Sequence, residues 1–189
     1  MPLPSQIRRI VLTGFMGAGK STVGDLLAEK LAWTFVDVDK EIEARAGMTV
    51  AAIFAKRGEQ AFRALEATVI RNLSEREELV LALGGGALET ESTRTLWNEL
   101  GSTCVVFLDA PLEVLVERCL AQPGPVERPV LADRDRLLRR FESRLPHYRA
   151  AHVTLATQAL SPAEVADRIL DSIAKRFANE AAAESVPLR

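Results

Sequence analysis

Two cysteines in 189 residues are too few for a disulfide framework, and Cys104 and Cys119 do not fall at a zinc-ligand spacing. Cys104 opens the apolar run Cys-Val-Val-Phe-Leu and reads as a small buried side chain. Long hydrophobic runs are missing too. Ile10–Leu12 gives way at once to Thr-Gly-Phe, well short of the roughly 7–15 apolar residues of a secretory leader, and nothing approaches the ~20 of a membrane span. Neither sign of charge is in excess: 24 Lys and Arg against 26 Asp and Glu leave a formal net charge of −2. That balance excludes the basic face of a nucleic-acid binder and the acidic run of a solvating tail. The two histidines, His147 and His152, suggest no nucleophile–base pair, and no segment repeats. The expectation is a cytoplasmic protein that engages neither nucleic acid nor membrane.

What is present is an ordinary globular composition, 48% hydrophobic and 26% charged. The length suits one domain, expected over 1–178, with an Ala- and Glu-rich tail over 179–189 that frays. Five short apolar runs, Arg9–Thr13, Thr34–Val38, Leu79–Leu83, Cys104–Leu108 and His152–Leu155, read as strands. Several are continuously apolar, which suits burial on both faces of a parallel sheet. Segments of helical period separate them. Ser21–Ala32 aligns Val23, Leu26, Leu27 and Leu31, and Glu59–Ser74 aligns Phe62, Leu65, Val69 and Leu73. Further helices are expected over Lys40–Ala46, Thr49–Lys56, Glu91–Leu100, Pro111–Ala121, Arg134–Arg149 and Pro162–Phe177. Strands alternating with helices make βαβ units and a three-layer α/β domain. Residues 39–78 hold several helices between two strands, enough for a small subdomain. Pro123, Gly124, Pro125 and Pro129 mark an irregular surface loop, a lid over about 119–133.

The sharpest signal is Gly14-Phe-Met-Gly17-Ala18-Gly19-Lys20-Ser21-Thr22, a phosphate-binding loop between a strand and an amphipathic helix. Its glycines let successive N–H groups turn toward phosphate oxygens, and the helix N-terminus adds partial positive charge. Lys20 is placed to reach the β- and γ-phosphates, and Ser21 to ligate Mg²⁺. The pattern identifies a nucleoside triphosphate site. It does not identify the acceptor, because GTPases, motors and small-molecule kinases share it.

Other segments bear on the acceptor. Phe35-Val-Asp37-Val-Asp39 places two carboxylates at a strand end; alternation puts both on one face at the edge where ligands of open α/β sheets sit. One carboxylate suits water-mediated contact with Mg²⁺ and the other an acceptor hydroxyl, while a strand end followed by a helix N-cap fits equally well. Arg63 and Glu66 lie one turn apart and read either as a surface ion pair or as a clamp for a carboxylate. Gly84-Gly85-Gly86 offers bare N–H groups to an anion, or a plain turn. Arg118 and Arg128 flank the Pro- and Gly-rich loop, and Arg144 lies in Arg-Leu-Pro-His-Tyr-Arg. Each alone reads as a solvated charge; together, opposite a phosphate loop, they suit a lid that excludes water.

Taken in order, Gly-Phe-Met-Gly-Ala-Gly-Lys-Ser-Thr, Phe-Val-Asp-Val-Asp, Gly-Glu-Gln-Ala-Phe-Arg-Ala-Leu-Glu, Leu-Gly-Gly-Gly-Ala, Arg-Pro-Val-Leu and Arg-Leu-Pro-His-Tyr-Arg resemble the shikimate kinases over about Arg9 to Ala174. The related gluconate kinases are similar at the phosphate loop but lack the rest of that set. The resemblance implies a P-loop fold with a five-stranded parallel sheet in the order 2-3-1-4-5, a helical shikimate-binding subdomain and a mobile lid. A single compact domain without an obvious interface points to a monomer, and the resemblance implies transfer of the γ-phosphoryl of ATP to the 3-hydroxyl of shikimate with Mg²⁺. It also implies that Gly17, Ala18, Gly19, Lys20, Ser21 and Thr22 bind the phosphates, and that Ser21 and Asp37 serve the metal. Asp39 then hydrogen-bonds the acceptor hydroxyls as candidate base, and Arg63 and Arg144 clamp the acceptor carboxylate. Gly85 and Gly86 supply backbone contacts and Glu66 orients the site. Arg128 matches the catalytic lid arginine and Arg118 the arginine on adenine. Two departures stand out: Gln122-Pro-Gly-Pro-Val-Glu lengthens the lid, and Gln158, Ala159 and Leu160 replace an adenine-side arginine found in some members. The competing expectations are another small-molecule kinase of this fold, which needs a different acceptor clamp, and a catalytically silent ATP-binding module, which would have lost Lys20, Asp39 or the lid arginine.

Overall fold

The computed structural model describes residues 3–121 and 133–184, with the side chains of 179–184 left aside. Arg128 and all but the ends of the expected lid lie outside the described residues. Five strands, β1 (Arg9–Thr13), β2 (Thr34–Asp37), β3 (Leu79–Ala82), β4 (Thr103–Asp109) and β5 (Val153–Ala156), form one sheet in the order β2-β3-β1-β4-β5. All neighbours are parallel. The central strand pairs Val11 with Leu81 on one side and Val105 on the other. β1 and β3 are buried at every position, as their unbroken apolar runs require of strands covered on both faces.

The chain leaves β1 toward β2 and β3, then crosses back to β4 and β5, so the strand order reverses beside the C-terminal end of β1. That crevice is where open α/β sheets bind ligands. Gly14–Gly19 fills it and leads into α1 (Lys20–Leu31), whose N-cap Gly19 has a left-handed backbone, φ 88°. Gly17 also has positive φ, 77°, and a Cβ there would run into the Leu115 carbonyl and Cys119 Sγ of α5 (Leu112–Ala121).

One boundary at the site differs from the sequence reading. β2 stops at Asp37, and Val38 already belongs to α2 (Val38–Ala46). Asp39 is therefore in the first turn of a helix, not two residues along a strand. The cause is Asp37 itself, whose carboxylate caps α2 by accepting from the Asp39 and Lys40 N–H groups. The expected helices 49–56 and 59–74 run together as α3 (Val50–Ser74), broken by Gly58 at φ 79° and ψ 170°. Phe54 and Phe62 stack across this kink with ring centroids 4.6 Å apart. A 3-10 turn (Ala87–Glu89) and α4 (Glu91–Glu99) follow β3, while α6 (Arg134–Arg149) and α7 (Pro162–Glu184) flank β5. α7 runs on to Glu184, into the stretch expected to fray. Among the described residues no helix is long and apolar enough to cross a membrane.

Candidate active site

The phosphate loop meets the end of β2 at one contact. Ser21 Oγ donates to Asp37 Oδ2 at 2.6 Å, while Asp37 Oδ1 takes the capping N–H groups of α2. One carboxylate thus fixes both the serine rotamer and the direction of the helix that carries Asp39. Lys20 Nζ lies back over the loop, donating to the carbonyls of Gly14 (2.8 Å) and Phe15 (3.2 Å). Burial pushes the Lys20 ammonium below its ordinary value, against the pull of Asp39 and Asp37. Lys20, Ser21, Thr22, Asp37 and Asp39 share a cavity of about 310 Å³ with Gly17 and Gly19.

For Mg²⁺ the donors here are one hydroxyl and one carboxylate, both hard oxygens. No group of three or more His, Cys, Asp or Glu residues able to hold a metal occurs among the described residues. That sparse set fits an ion that keeps several waters and takes phosphate oxygens, and does not fit a metal caged by protein alone.

On the far side of Asp39 the acceptor residues converge. Gly84 follows β3, and a Cβ built on it would stand 2.6 Å from Glu66 Oε1 and 2.8 Å from Asp39 Oδ1. Two carboxylates from α2 and α3 therefore face bare backbone at the C-terminal edge of the sheet. Burial, and then the neighbouring Asp37 charge, raise the Asp39 carboxyl above the ordinary range. Burial also raises Glu66, against the pull of Arg63. Glu66 is 1% exposed; its Oε2 accepts from Arg63 Nη1 at 2.7 Å, and its Oε1 is buried without a partner.

Arg63 and Arg144 come from α3 and α6, far apart in sequence, yet both reach the turn after the glycines. Arg144 Nη2 donates to Glu89 Oε2 at 2.8 Å, and Arg63 Nη2 approaches the same oxygen at 3.5 Å. Arg63 Nη2 also donates to Glu59 at 3.3 Å, so the ion pairs foreseen along α3 are present alongside the longer-range one. Arg144 is 7% exposed, lies over the Phe15 ring at 5.9 Å, and leaves its Nε buried without a partner. Tyr148, one turn after Arg144, donates to the Gly85 carbonyl and stacks on Phe107, which ties α6 to the glycine turn.

The nucleotide side is a cleft of about 350 Å³ lined by Gly17, Ala18, Gly19, Thr22, Arg118, Thr157 and Leu160. Arg118 donates to the Thr157 carbonyl at 2.7 Å and to its hydroxyl at 3.2 Å. The side chain is thereby held on the rim beside the loop. Leu160, in the stretch where some family members carry an arginine, gives that rim an apolar surface.

Sequence reasoning missed Glu89, Tyr148 and Thr157. Tyr148 was findable, since a residue four beyond Arg144 shares its helix face. Glu89 carried a weaker signal, a carboxylate just past three glycines, and its partners are set only by the fold. His152 has a structural part: it accepts from the Val105 N–H through Nδ1 at 2.9 Å and pins the start of β5 to β4.

The family model for shikimate kinase matches residues 16–174. The chain belongs to the shikimate kinase family. A shikimate kinase of Persephonella marina is 42% identical over 88% of this chain and 99% of its own length. The structure of shikimate kinase from Acinetobacter baumannii in complex with shikimate superposes with a TM-score of 0.80 at 38% identity, covering 89% of this chain and 94% of that one. A gluconokinase from Sinorhizobium meliloti is similar at a TM-score of 0.59 but only 23% identical over 95% of this chain and 98% of its own, a likeness of fold alone. Membership makes this chain an ATP-dependent kinase with shikimate as its acceptor, and the gluconate alternative is not favoured.

Proposed function

We propose that the chain phosphorylates the 3-hydroxyl of shikimate with Asp39 as the group that accepts the hydroxyl proton and Arg63 and Arg144 as the clamp on the acceptor carboxylate. The observation that carries this is the convergence of Asp39, Glu66, Arg63 and Arg144 on the Gly84–Gly86 turn, beside the Lys20–Asp37 cavity. A hydroxylated carboxylic acid needs cations at one end and carboxylates for its hydroxyls at the other. Both ends are supplied within one crevice.

Phosphoryl transfer demands alignment and charge neutralisation rather than a covalent intermediate. Gly17, Ala18, Gly19 and Thr22 offer the backbone and hydroxyl donors for the ATP phosphates. Lys20, released from the Gly14 and Phe15 carbonyls, meets the γ-phosphoryl. Ser21 and Asp37 would hold Mg²⁺, which supplies charge neutralisation to the β- and γ-oxygens. Asp39, whose carboxyl is raised by burial and by Asp37, takes the proton that the acceptor hydroxyl gives up late in its attack on the γ-phosphoryl. Glu66 orients Arg63 and offers its unpartnered Oε1 to an acceptor hydroxyl. Gly85 and Gly86 give backbone contacts, and Arg118 lines the adenine side. Arg128, outside the described residues, is assigned to the lid over 119–133, with the acceptor subdomain over 39–78.

The enzyme is read as a monomer. Both cysteines are buried and neither is in a disulfide, in keeping with a reducing cytoplasm. The test is ADP release by the purified chain with ATP and Mg²⁺, comparing shikimate, gluconate, AMP and no acceptor. Release stimulated by shikimate alone is the expected result. Equal stimulation by gluconate or AMP overturns the acceptor site.

A further inference from the structure

We propose that Glu89 is a tethered competitor for the acceptor's carboxylate: it occupies the Arg63–Arg144 clamp in the free enzyme and must leave when the acceptor binds. The inference rests on the clamp assignment above. A single oxygen, Glu89 Oε2, lies 2.8 Å from Arg144 Nη2 and 3.5 Å from Arg63 Nη2. A carboxylate oxygen shared by guanidiniums from two different helices is the arrangement that an incoming carboxylic acid would make. Gly86, with no side chain, lies against that same junction; a Cβ there would stand 2.7 Å from Glu89 Oε2 and 2.8 Å from Arg144 Nη2.

Two features separate Glu89 from a fixed structural partner. The first is its freedom to leave. Its side chain is 37% exposed, against 8% for Arg144 and 2% for Glu66, the carboxylate that holds Arg63 from the inside. Glu66 can therefore keep Arg63 in place once Glu89 has swung to solvent. The second is what Glu89 leaves undone. Arg144 Nε, a buried donor, has no acceptor, and Glu66 Oε1, a buried acceptor, has no donor. A buried group without a partner is costly, so the site favours a ligand that completes both. A hydroxylated acid brings a second carboxylate oxygen for the first and an O–H for the second. Glu89 places only Oε2 on the arginines, leaving Arg144 Nε unmet, and carries no O–H.

Because Glu89 is covalently attached, it competes at an effective concentration that dilute anions do not match. Chloride gains only the contacts that Glu89 already makes, and acetate can add at most the one to Arg144 Nε. The proper acceptor gains those and the two open ones. Glu89 on this account lowers the affinity of every anion for the clamp by one common factor, and the proper acceptor keeps its lead through the contacts that Glu89 leaves open.

The test compares wild-type enzyme with Glu89→Gln, which keeps the shape, and Glu89→Asp, which keeps the charge on a shorter arm. Shikimate KM, kcat, ATP KM, thermal midpoint and acetate inhibition against shikimate are measured for each. For Glu89→Gln the shikimate KM should fall by about 3- to 10-fold, with kcat and ATP KM within about two-fold of wild type. The acetate inhibition constant should fall in step, and Glu89→Asp should lie between. A shikimate KM that is unchanged or raised overturns the proposal, the second pattern making Glu89 a brace that holds the arginines for substrate. An acetate constant that does not move overturns it as well. Failure of wild-type enzyme to turn over shikimate would instead remove the underlying acceptor reading, and is seen before any variant is made.

Discussion

Replacing Gly84 by alanine tests the acceptor site with one methyl group. Its backbone is not in the left-handed region, so the change carries no conformational penalty beyond the Cβ. That Cβ would lie 2.6 Å from Glu66 Oε1 and 2.8 Å from Asp39 Oδ1. Ordinary carbon–oxygen contact is near 3.4 Å, so each carboxylate must give way by roughly 0.6–0.8 Å. Neither moves freely: Glu66 is 1% exposed and bound to Arg63, and Asp39 sits on a helix whose N-cap is held by Asp37. Such overpacking costs about 1–3 kcal/mol of stability. A displacement approaching 1 Å at reacting groups costs about 10²-fold in rate. The expected result in a coupled ADP assay is a kcat lowered by about 10²-fold with ATP KM within about two-fold, because the atoms nearest the added Cβ belong to Glu66 and Asp39. Gly85→Ala is the comparison. Its Cβ meets Arg144 Nη1 at 3.5 Å and Tyr148 Oη at 3.8 Å, ordinary contacts, so folding should be nearly unaffected while the acceptor KM rises. If Gly84→Ala keeps kcat and shikimate KM within about three-fold of wild type, Asp39 and Glu66 are not the acceptor's carboxylates and the argument fails.

The remaining expectations follow from the same geometry. Asp39→Asn should lower kcat by about 10²–10⁴-fold and leave ATP binding largely intact; near-wild-type turnover would end its role as base. The same variant should melt higher, by about 2–4 °C for each kcal/mol of relieved desolvation and Asp37 repulsion, as scanning calorimetry would show. Arg63→Ala should raise the shikimate KM by roughly 10- to 100-fold through loss of a charge-assisted contact, and lower the thermal midpoint by leaving Glu66 buried unpaired; an unchanged KM would move the carboxylate site elsewhere. Since the Asp39 carboxyl is raised, the folded state keeps a proton that the unfolded chain has released. Its contribution to stability is therefore largest below the ordinary carboxylate value and is lost as pH rises through the folded value. Turnover has the opposite sign, rising with pH as Asp39 ionises, and Asp39→Asn should remove both dependences.

How far the chain could be read without its structure depends on where each interaction is encoded. The strands and the phosphate loop were legible because their signals are local: an unbroken apolar run buried on both faces, and a fixed glycine spacing before a helix. The Asp37–Asp39 segment carries two local signals that conflict, strand alternation and an N-cap. The structure resolves the conflict through Asp37, whose Oδ1 caps α2 while Oδ2 takes Ser21, so the strand ends one residue sooner than alternation implies. The break between the two periodic stretches before and after Gly58 was local in the same way, and Gly58 keeps non-helical angles there while Phe54 and Phe62 stack across it. Arg63–Glu66 was readable as a pair because its spacing is one helical turn. The role of that pair was not, because it depends on Arg144, Glu89 and Gly86 arriving from two other elements. The acceptor site is thus the least local part of the molecule. Arg63 is held by Glu66 within its own helix, and both Arg63 and Arg144 are met by Glu89 from the turn after β3, so only the first partner could be inferred from the order of residues along a helix.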